Sequence, residues 1–448
     1  MVVPTQLKLG FEDIAEAQAE GKPGLSNSRI NKLDPQDRAF HDWYRFVLSF
    51  PPHLVRDYIK KFELKRNSVV LDPFCGTGTT LIEAKLGGMR SIGLEGNPFP
   101  YFAASVKTEW DVDANSLLTH AQKIATEALG ALKLQGIDDD FPFEKKHKAL
   151  KTLPREAEKL ILANSISPLP LHKTLVLFEI LRKHEGKPYY RHLLLALGNA
   201  LVYKISNLHF GPEVGVRKPT TDVPVVSNWT LEVEKMAKDL RQVEGRSFPD
   251  ARVYLTDARN INVLEPNSID AVITSPPYPN EKDYTRTTRL ESVLLGFINN
   301  KEELRELKKK LVRSNTRGIY KGDDDDQWVA DFPQIQKIAE EIEKRRIELG
   351  KNSGFERLYA KATKLYFGGM AKHLSDLRSV LRPGAKLAYV VGDQASYLRV
   401  MIRTGQILGN IAKKFGYELV GIDLFRTRLA TATKEQLREE VVILNWRG

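Results

Sequence analysis

The sequence contains a single cysteine, Cys75, among its 448 residues. One thiol excludes an intramolecular disulfide and a zinc cluster built on several thiolates. Long hydrophobic runs are missing as well. No stretch approaches the roughly 20 apolar residues of a membrane span, and the first residues lack the basic and apolar regions of a secretory signal. We therefore expect a cytoplasmic protein without a membrane anchor.

Acidic residues are fewer than basic ones. The 57 Asp and Glu residues oppose 68 Lys and Arg residues, so the formal net charge is +11. Such an excess favours a polyanionic partner. Hydrophobic residues make up 42% and charged residues 28% of the chain, as in a soluble globular protein, which excludes a wholly disordered or collagen-like chain. The length predicts two or three structural units.

The first 250 residues change character once. Residues 1–110 combine a polar lead-in, to about residue 35, with an aromatic segment from His41 to Phe62 that we interpret as a helix, and with the first strands. Residues 111–250 have a leucine-rich helical periodicity and no strand alternation. Within them, residues 206–219 are broken by glycine and proline, which is typical of a long exposed loop. We interpret residues 111–250 as a helical insert.

The pattern of strands resumes in residues 251–448, with a helical insertion at about 290–380. Two β-rich runs near the end, 417–424 and 440–446, predict an antiparallel hairpin. The other apolar runs alternate with helices, as in a parallel sheet; they lie at 68–73, 90–95, 251–257, 270–275 and 386–393. The predicted fold class is therefore α/β: a mostly parallel sheet, a C-terminal antiparallel hairpin and a large helical insert.

The first chemical motif is Asp72-Pro-Phe-Cys-Gly-Thr-Gly-Thr-Thr80, which we call the glycine turn. It follows an apolar strand and opens a helix, so its backbone can approach a ligand closely and the helix offers free N–H groups. No lysine follows the second glycine, and Leu81 stands where a dinucleotide fingerprint has its third glycine. A plain structural turn is the alternative. Glu95 ends the next strand, where a carboxylate can accept hydrogen bonds from both hydroxyls of a ribose, and a solvated glutamate is the alternative there.

The second motif is Thr274-Ser-Pro-Pro-Tyr278, which we call the proline turn. It comes directly after an apolar strand, and two consecutive prolines cannot continue a ladder of hydrogen bonds. They fix a rigid turn at the carboxyl edge of the sheet, where open α/β folds bind their ligands. Ser275 and Tyr278 are thereby presented on a stiff support.

Together, the two motifs resemble those of the amino-methylating DNA methyltransferases. The glycine turn resembles their S-adenosylmethionine motif, and the proline turn resembles their catalytic motif. The Ser-Pro-Pro-Tyr form is similar to the cytosine-N4 enzymes, whereas adenine-N6 enzymes more often have Asp or Asn at the first position. The resemblance covers about residues 40–110 and 250–395. It implies the Rossmann-like fold of methyltransferases that use S-adenosylmethionine, and that molecule as the cofactor.

The resemblance also implies roles for individual residues. Glu95 would hold the ribose of the cofactor, and Asp257 would accept the adenine amine. Phe50 lies in the segment that this family places ahead of the glycine turn. The residues implied to line the methionine part of the cofactor are Asp72, Phe74, Gly76 and Gly78.

On the substrate side, Ser275 and the carbonyl of Pro276 would accept hydrogen bonds from the target amine, with Pro277 completing the rigid turn and Tyr278 stacking on the base. An aromatic amine lends its lone pair to the ring, and two acceptors that pyramidalise it restore its nucleophilicity. A base in a duplex must be extruded to reach such a site. The implied activity is therefore site-specific methylation of cytosine N4 in duplex DNA, by base flipping and direct transfer, within a restriction-modification system or as an orphan enzyme.

Several alternatives remain or are excluded on chemical grounds. Methylation at cytosine C5 needs a thiolate nucleophile, but Cys75 lies inside the glycine turn. A zinc deaminase would need a Cys-x-x-Cys ligand set, which the chain lacks. Adenine-N6 methylation, RNA methylation and a silent nucleic-acid-binding module remain open.

Contacts with DNA are less specific in the sequence. Arg286 and Arg289 follow the proline turn, and Arg217 and Lys218 lie in the loop of the insert; all four suit phosphates or a guanine edge. The insert at 111–250 is then a candidate target-recognition region, and the protein would associate with the nucleoid and act beside a cognate restriction endonuclease. We interpret the basic run from Lys301 to Arg313 and the acidic run from Asp323 to Asp326 as solvated surface, and assign no metal.

Overall fold

The computed structural model describes residues 33–46, 49–140, 149–210, 214–280, 282–429 and 436–448. Most of the polar lead-in predicted at the N-terminus lies outside these residues. Nine strands are described, seven of them in one sheet. The strands are β1 (Val69–Asp72), β2 (Arg90–Glu95), β3 (Leu208–Phe210), β4 (Val214–Val216), β5 (Ala251–Leu255), β6 (Ile269–Thr274), β7 (Leu381–Gly392), β8 (Glu418–Leu429) and β9 (Gln436–Trp446).

The large sheet has the order β5-β2-β1-β6-β7-β9-β8. Its first five strands are parallel, and β9 runs antiparallel to both of its neighbours. The prediction of a mostly parallel sheet with a terminal antiparallel hairpin is confirmed. The strand order reverses between β1 and β6, so both turns that follow these strands lie at the switch point of the sheet, where ligands bind in open α/β folds.

Helices cover the sheet and form the insert. They are α1 (Pro52–Lys61), α2 (Thr79–Leu86), α3 (Pro98–Lys107), α4 (Ala114–Leu134), α5 (Arg155–Glu158), α6 (Pro168–Arg182), α7 (Tyr190–Ala200), α8 (Val226–Val243), α9 (Tyr284–Thr287), α10 (Arg289–Leu294), α11 (Lys301–Lys309), α12 (Pro333–Glu348), α13 (Tyr359–Leu377) and α14 (Thr404–Lys414). Five residues after α7, Leu201–Ile205, continue it as a π-helix.

Alternating residues of the central strands face two cores. Val70 packs with α1 and α2 on one face, whereas Leu71 packs with α12, α13 and α14 on the other. Side chains alternate between the faces of a strand, so a sheet buried on both faces reads as a continuous apolar run. This explains why β1 and β6 were recognisable in the sequence.

The helices of residues 111–250 share one core with the sheet's own helix α3. Phe99 on α3 packs in the same cluster as Leu193 on α7 and Trp229 on α8. The division of the chain into three parts stays a prediction, but the insert is built directly onto the half of the molecule that carries the glycine turn.

Two local predictions are wrong. The segment 206–219 is not only a loop, because β3 and β4 pair in a small antiparallel sheet within it. Among the described residues of the aromatic segment from His41 to Phe62, the helical parts are the short 3-10 turn His41–Trp43 and α1. Phe50 and Pro51 precede α1 outside the helix, as expected for residues that lead into a proline. Among the described residues, none of the helices is both long and apolar enough to cross a membrane.

Candidate active site

A cavity of about 600 Å³ opens at the carboxyl ends of the parallel strands. It brings both predicted motifs together. Of the eleven residues that the sequence analysis assigned to cofactor and chemistry, nine line it: Phe50, Phe74, Gly76, Glu95, Asp257, Ser275, Pro276, Pro277 and Tyr278. The other two, Asp72 and Gly78, are not among the lining residues.

Both glycines of the glycine turn have a left-handed backbone, with φ of 51° at Gly76 and 86° at Gly78. L side chains rarely adopt this conformation. A Cβ added at Gly78 would lie 3.2 Å from the Cβ of Ala104 on α3, whereas one added at Gly76 would meet nothing within 4 Å. Gly76 therefore faces the open cavity, and Gly78 permits α2 and α3 to pack closely.

Asp72 does not line the cavity, contrary to its implied role. Its carboxylate is fully buried and accepts hydrogen bonds from the hydroxyl of Thr274 (2.6 Å) and from the backbone N–H of Phe74 (3.1 Å). Burial raises its pKa from 3.8 to about 6, while these donors oppose the shift. Asp72 therefore ties the glycine turn to the first residue of the proline turn.

Glu95 lines the cavity from the end of β2. Its two carboxylate oxygens accept the backbone N–H groups of Gly76 (3.0 Å) and Asn97 (2.8 Å). Burial raises its pKa to about 7, although the same N–H groups oppose that shift. Two backbone donors leave acceptor positions on a carboxylate, so Glu95 is fixed in place and can still accept hydroxyls from the cavity.

Asp257 lines the cavity just beyond β5, and its carboxylate is bound by Arg259. The guanidinium of Arg259 reaches both oxygens, and it also pairs with Asp325. Asp323 in the same acidic run forms a bidentate pair with Arg313. The interpretation of the acidic run as solvated surface is therefore wrong for these two residues, because each is the counter-ion of a buried arginine.

The proline turn presents Ser275 and Tyr278 to the cavity. The hydroxyl of Ser275 donates to the carbonyl of Val390 (3.2 Å), and the backbone N–H of Tyr278 donates to the hydroxyl of Tyr284 (3.1 Å). The ring of Tyr278 lies against Gly392, where an added Cβ would come within 2.9 Å of it. Burial raises the pKa of Tyr278 well above its usual value, so its ring is neutral and can serve as a stacking surface.

The four arginines and lysines proposed to bind DNA differ in environment. Arg217 and Lys218 are exposed. Arg289 is not available to a phosphate, because its side chain is 13% exposed, faces Asp283 and donates to the carbonyl and hydroxyl of Thr285; for this residue the prediction is wrong. Arg286 is partly buried.

Sequence reasoning missed several residues that line the cavity. Lys308 and Arg313 belong to the basic run taken as solvated, yet they pair with Asp283 and Asp323 and face the cavity. Arg426 and Glu439 form a bidentate pair on the terminal hairpin beside Tyr278. Charge in the sequence gave no signal for these residues, because their partners are set by tertiary packing.

The sheet has the Rossmann-like order of methyltransferases, and the glycine turn and the proline turn meet on one cavity at its carboxyl edge. Residues 22–103 match the family model of the N6/N4 DNA methylases. The Type II methyltransferase M.BsoBI of Geobacillus stearothermophilus is 25% identical over 431 residues, which cover 89% of this chain and 83% of that protein. These matches support an amino-methylating DNA methyltransferase family for this chain.

Two further proteins are similar to this chain. The Type II methyltransferase M.AvaI of Nostoc sp. is 23% identical over 457 residues, covering 94% of this chain and 88% of that protein. The crystal structure of TrmN from Thermus thermophilus aligns with 93% of this chain and 54% of that chain, with 11% identity and a TM-score of 0.29.

The methyltransferase family that these matches support implies S-adenosylmethionine as the methyl donor, and the cavity fits such a molecule. Its volume is within the range of about 300–1,000 Å³ that is usual for small-molecule sites. Gly76 leaves open space at the turn, and the carboxylates of Glu95 and Asp257 both face the cavity. Among the described residues, no group of three or more His, Cys, Asp or Glu is placed to hold a metal ion.

Proposed function

We propose that this protein methylates the exocyclic N4 amine of cytosine at a specific sequence in duplex DNA. The observation that carries the proposal is the meeting of the two turns on one cavity, with Ser275 and Pro276 presented beside Gly76. The Ser-Pro-Pro-Tyr form of the proline turn favours cytosine over adenine. The relatives M.BsoBI and M.AvaI are named Type II methyltransferases, which supports site-specific modification and a cognate restriction endonuclease as a partner.

In the proposed reaction, the flipped cytosine lies on the ring of Tyr278 with its amine directed at Ser275 and the carbonyl of Pro276. These acceptors take the two N–H groups, so the lone pair of the nitrogen is withdrawn from the ring and can attack. S-adenosylmethionine, when bound, supplies an electrophilic methyl group on a sulfonium. The new N–C bond replaces the S–C bond, and the amine then loses a proton to water.

The proline turn holds these acceptors without help from the substrate. Ser275 is anchored to Val390 of β7, and Thr274 is anchored to Asp72. Preorganised acceptors need no reorganisation during the reaction, and that is the main source of electrostatic catalysis. Tyr278 has its ring supported by Gly392, so the stacking surface is equally fixed.

The deciding experiment identifies the methylated nucleoside. DNA incubated with the protein and S-adenosylmethionine is digested, and the nucleosides are separated by mass spectrometry. N4-methylcytosine is the expected product, while N6-methyladenine alone would overturn the choice of base. Competition between duplex DNA and structured RNA tests the RNA alternative, and cofactor binding without transfer to any DNA would favour a silent binding module.

A pair of serine variants tests the assigned chemistry. Ser275→Ala removes a proposed acceptor and should lower the methylation rate about 100-fold, within the range for loss of one preorganised electrostatic contact. Ser379→Ala is the matched control, because Ser379 is exposed and its hydroxyl donates only locally, to Asp376. Full activity in Ser275→Ala would refute the role of that hydroxyl.

A further inference from the structure

Arg259 connects the cavity to the acidic run. Its side chain is 10% exposed and lies between the carboxylates of Asp257 and Asp325. Asp257 receives the backbone N–H of Arg259 (2.9 Å), its Nε (3.0 Å) and its Nη2 (2.6 Å), while Nη1 donates to Asp325. Arg259 thus binds Asp257 in the cavity wall and is itself bound by Asp325.

The number of donors on Asp257 is informative. A carboxylate has about four acceptor positions, and Arg259 occupies three of them with its three donors. Because Asp257 lines the cavity, the remaining position is available to one donor from a ligand. Arg259 therefore sets the plane of the carboxylate and restricts it to a single further hydrogen bond.

Asp325 keeps Arg259 in this position. It begins the short 3-10 helix Asp325–Val329, which packs against α13 at two consecutive glycines. A Cβ at Gly368 would overlap the backbone carbonyl of Asp325, and one at Gly369 would lie 3.3 Å from its Oδ2. The absence of a side chain at Gly368 lets the backbone of Asp325 lie this close to α13, and Gly369 leaves room for its carboxylate, so the position of Asp325 is built into the fold.

We propose that Arg259 is a positioning residue for the adenine amine of the cofactor, and that Asp325 holds it in place. This inference rests on the proposed use of S-adenosylmethionine. The carboxylate of Asp257 accepts a hydrogen bond from the exocyclic amine at its one remaining acceptor position. It disfavours a purine that has a carbonyl in place of that amine, because two acceptors would then face each other. Asp325 touches no ligand and acts only through Arg259.

The acidic run supplies a matched control. Asp324 is exposed, and its side chain makes no cap hydrogen bond to the 3-10 helix that follows it. Asp324→Asn and Asp325→Asn therefore remove the same charge from adjacent residues, but only the second breaks the pair with Arg259. Binding of S-adenosylhomocysteine and of S-inosylhomocysteine, in which a carbonyl replaces the amine, is measured by calorimetry on the full chain.

The wild type and Asp324→Asn should bind S-adenosylhomocysteine at one site and prefer it over the inosyl analogue about tenfold or more, because the carbonyl would leave a buried carboxylate facing an acceptor. Asp325→Asn should bind S-adenosylhomocysteine about tenfold more weakly, the effect of losing one charged hydrogen bond, with a smaller preference between the two ligands. The turnover number at saturating S-adenosylmethionine should change little, while its KM rises.

Partial unfolding would lower the fraction of binding sites in Asp325→Asn and leave the dissociation constant unchanged, so calorimetry separates the two effects. If Asp325→Asn does not fold, Arg259→Lys, which keeps the charge but loses the planar fork, should weaken binding and reduce the preference in the same way. Unchanged affinity and preference in a folded variant would overturn the inference. A wild type that binds neither ligand would instead refute the proposed cofactor.

Discussion

The buried carboxylate of Asp72 predicts an unusual dependence of stability on pH. Its pKa is raised from 3.8 to about 6 because burial disfavours the charged form. The folded state therefore binds this proton more tightly than the unfolded state, so the fold loses stability as the pH rises from about 4 to 6. At 1.36 kcal/mol per pKa unit, the raised pKa of Asp72 lowers the free energy of unfolding by about 3 kcal/mol at pH 8 and by about half of that at pH 5.

Asp72→Asn removes this titration. The amide oxygen can still accept from Thr274 and from the N–H of Phe74, but the new NH2 group takes the place of Oδ2, a buried atom for which the described residues provide no hydrogen-bond partner. That NH2 group adds a cost of about 1–3 kcal/mol at every pH. The free energy of unfolding of the variant, relative to that of the wild type, should therefore rise by about 1.5 kcal/mol between pH 5 and pH 8.

Urea unfolding of both proteins at the two pH values measures this shift. The other titrating groups are the same in the two proteins, but Glu95 responds to Asp72: its pKa, raised mainly by burial and partly by Asp72, falls when the charge of Asp72 is removed. That response adds to the shift in the same direction, in favour of the variant at high pH. Asp324→Asn, at an exposed position, should show no such dependence. An equal stability difference at pH 5 and pH 8 for Asp72→Asn would mean that Asp72 titrates alike in the folded and unfolded chains, which would refute the effect of its burial.

Two further predictions concern the substrate side of the cavity. Gly392→Ala should displace the ring of Tyr278 and lower kcat/KM for DNA about tenfold or more, while binding of S-adenosylhomocysteine persists. Gly421→Ala is the control and should leave kcat/KM unchanged, because a Cβ there would meet nothing within 4 Å. Equal rates in the two variants would refute the stacking role of Tyr278. The double variant Arg217→Ala/Lys218→Ala should weaken DNA binding and reduce the salt slope by about 2, at roughly 0.9 per phosphate contact; an unchanged slope in filter-binding titrations would exclude these two residues from the interface.

The strands and the two turns were predictable because their signals are local. A strand buried on both faces reads as an apolar run, and the turns at Gly76 and Pro276 need residue types that few other positions require. The sheet then brings the two turns together automatically, since the carboxyl ends of parallel strands meet at one edge. Eight of the nine assigned residues that line the cavity reach it for this reason, and Phe50 reaches it from the segment ahead of α1.

The charged residues were predicted poorly because their roles depend on partners far along the chain. Arg259 pairs with Asp325, 66 residues away, and Lys308 pairs with Asp283, 25 residues away. Arg289 was expected on the surface, but its side chain turns back from α10 onto Thr285 of α9. A run of charges in a sequence gives no information about which member is buried.

The hydrogen bond between Thr274 and Asp72 joins residues that are 202 positions apart. The contact depends on β1 and β6 lying side by side, and no part of it depends on the polypeptide that connects them. A chain divided at Gly245, an exposed residue between α8 and β5, would separate the two turns covalently but keep the pairing of their strands. Two such fragments, folded together, should therefore reconstitute the cavity. The pairing of strands in the sheet forms the site, and the order of the two motifs in the sequence does not.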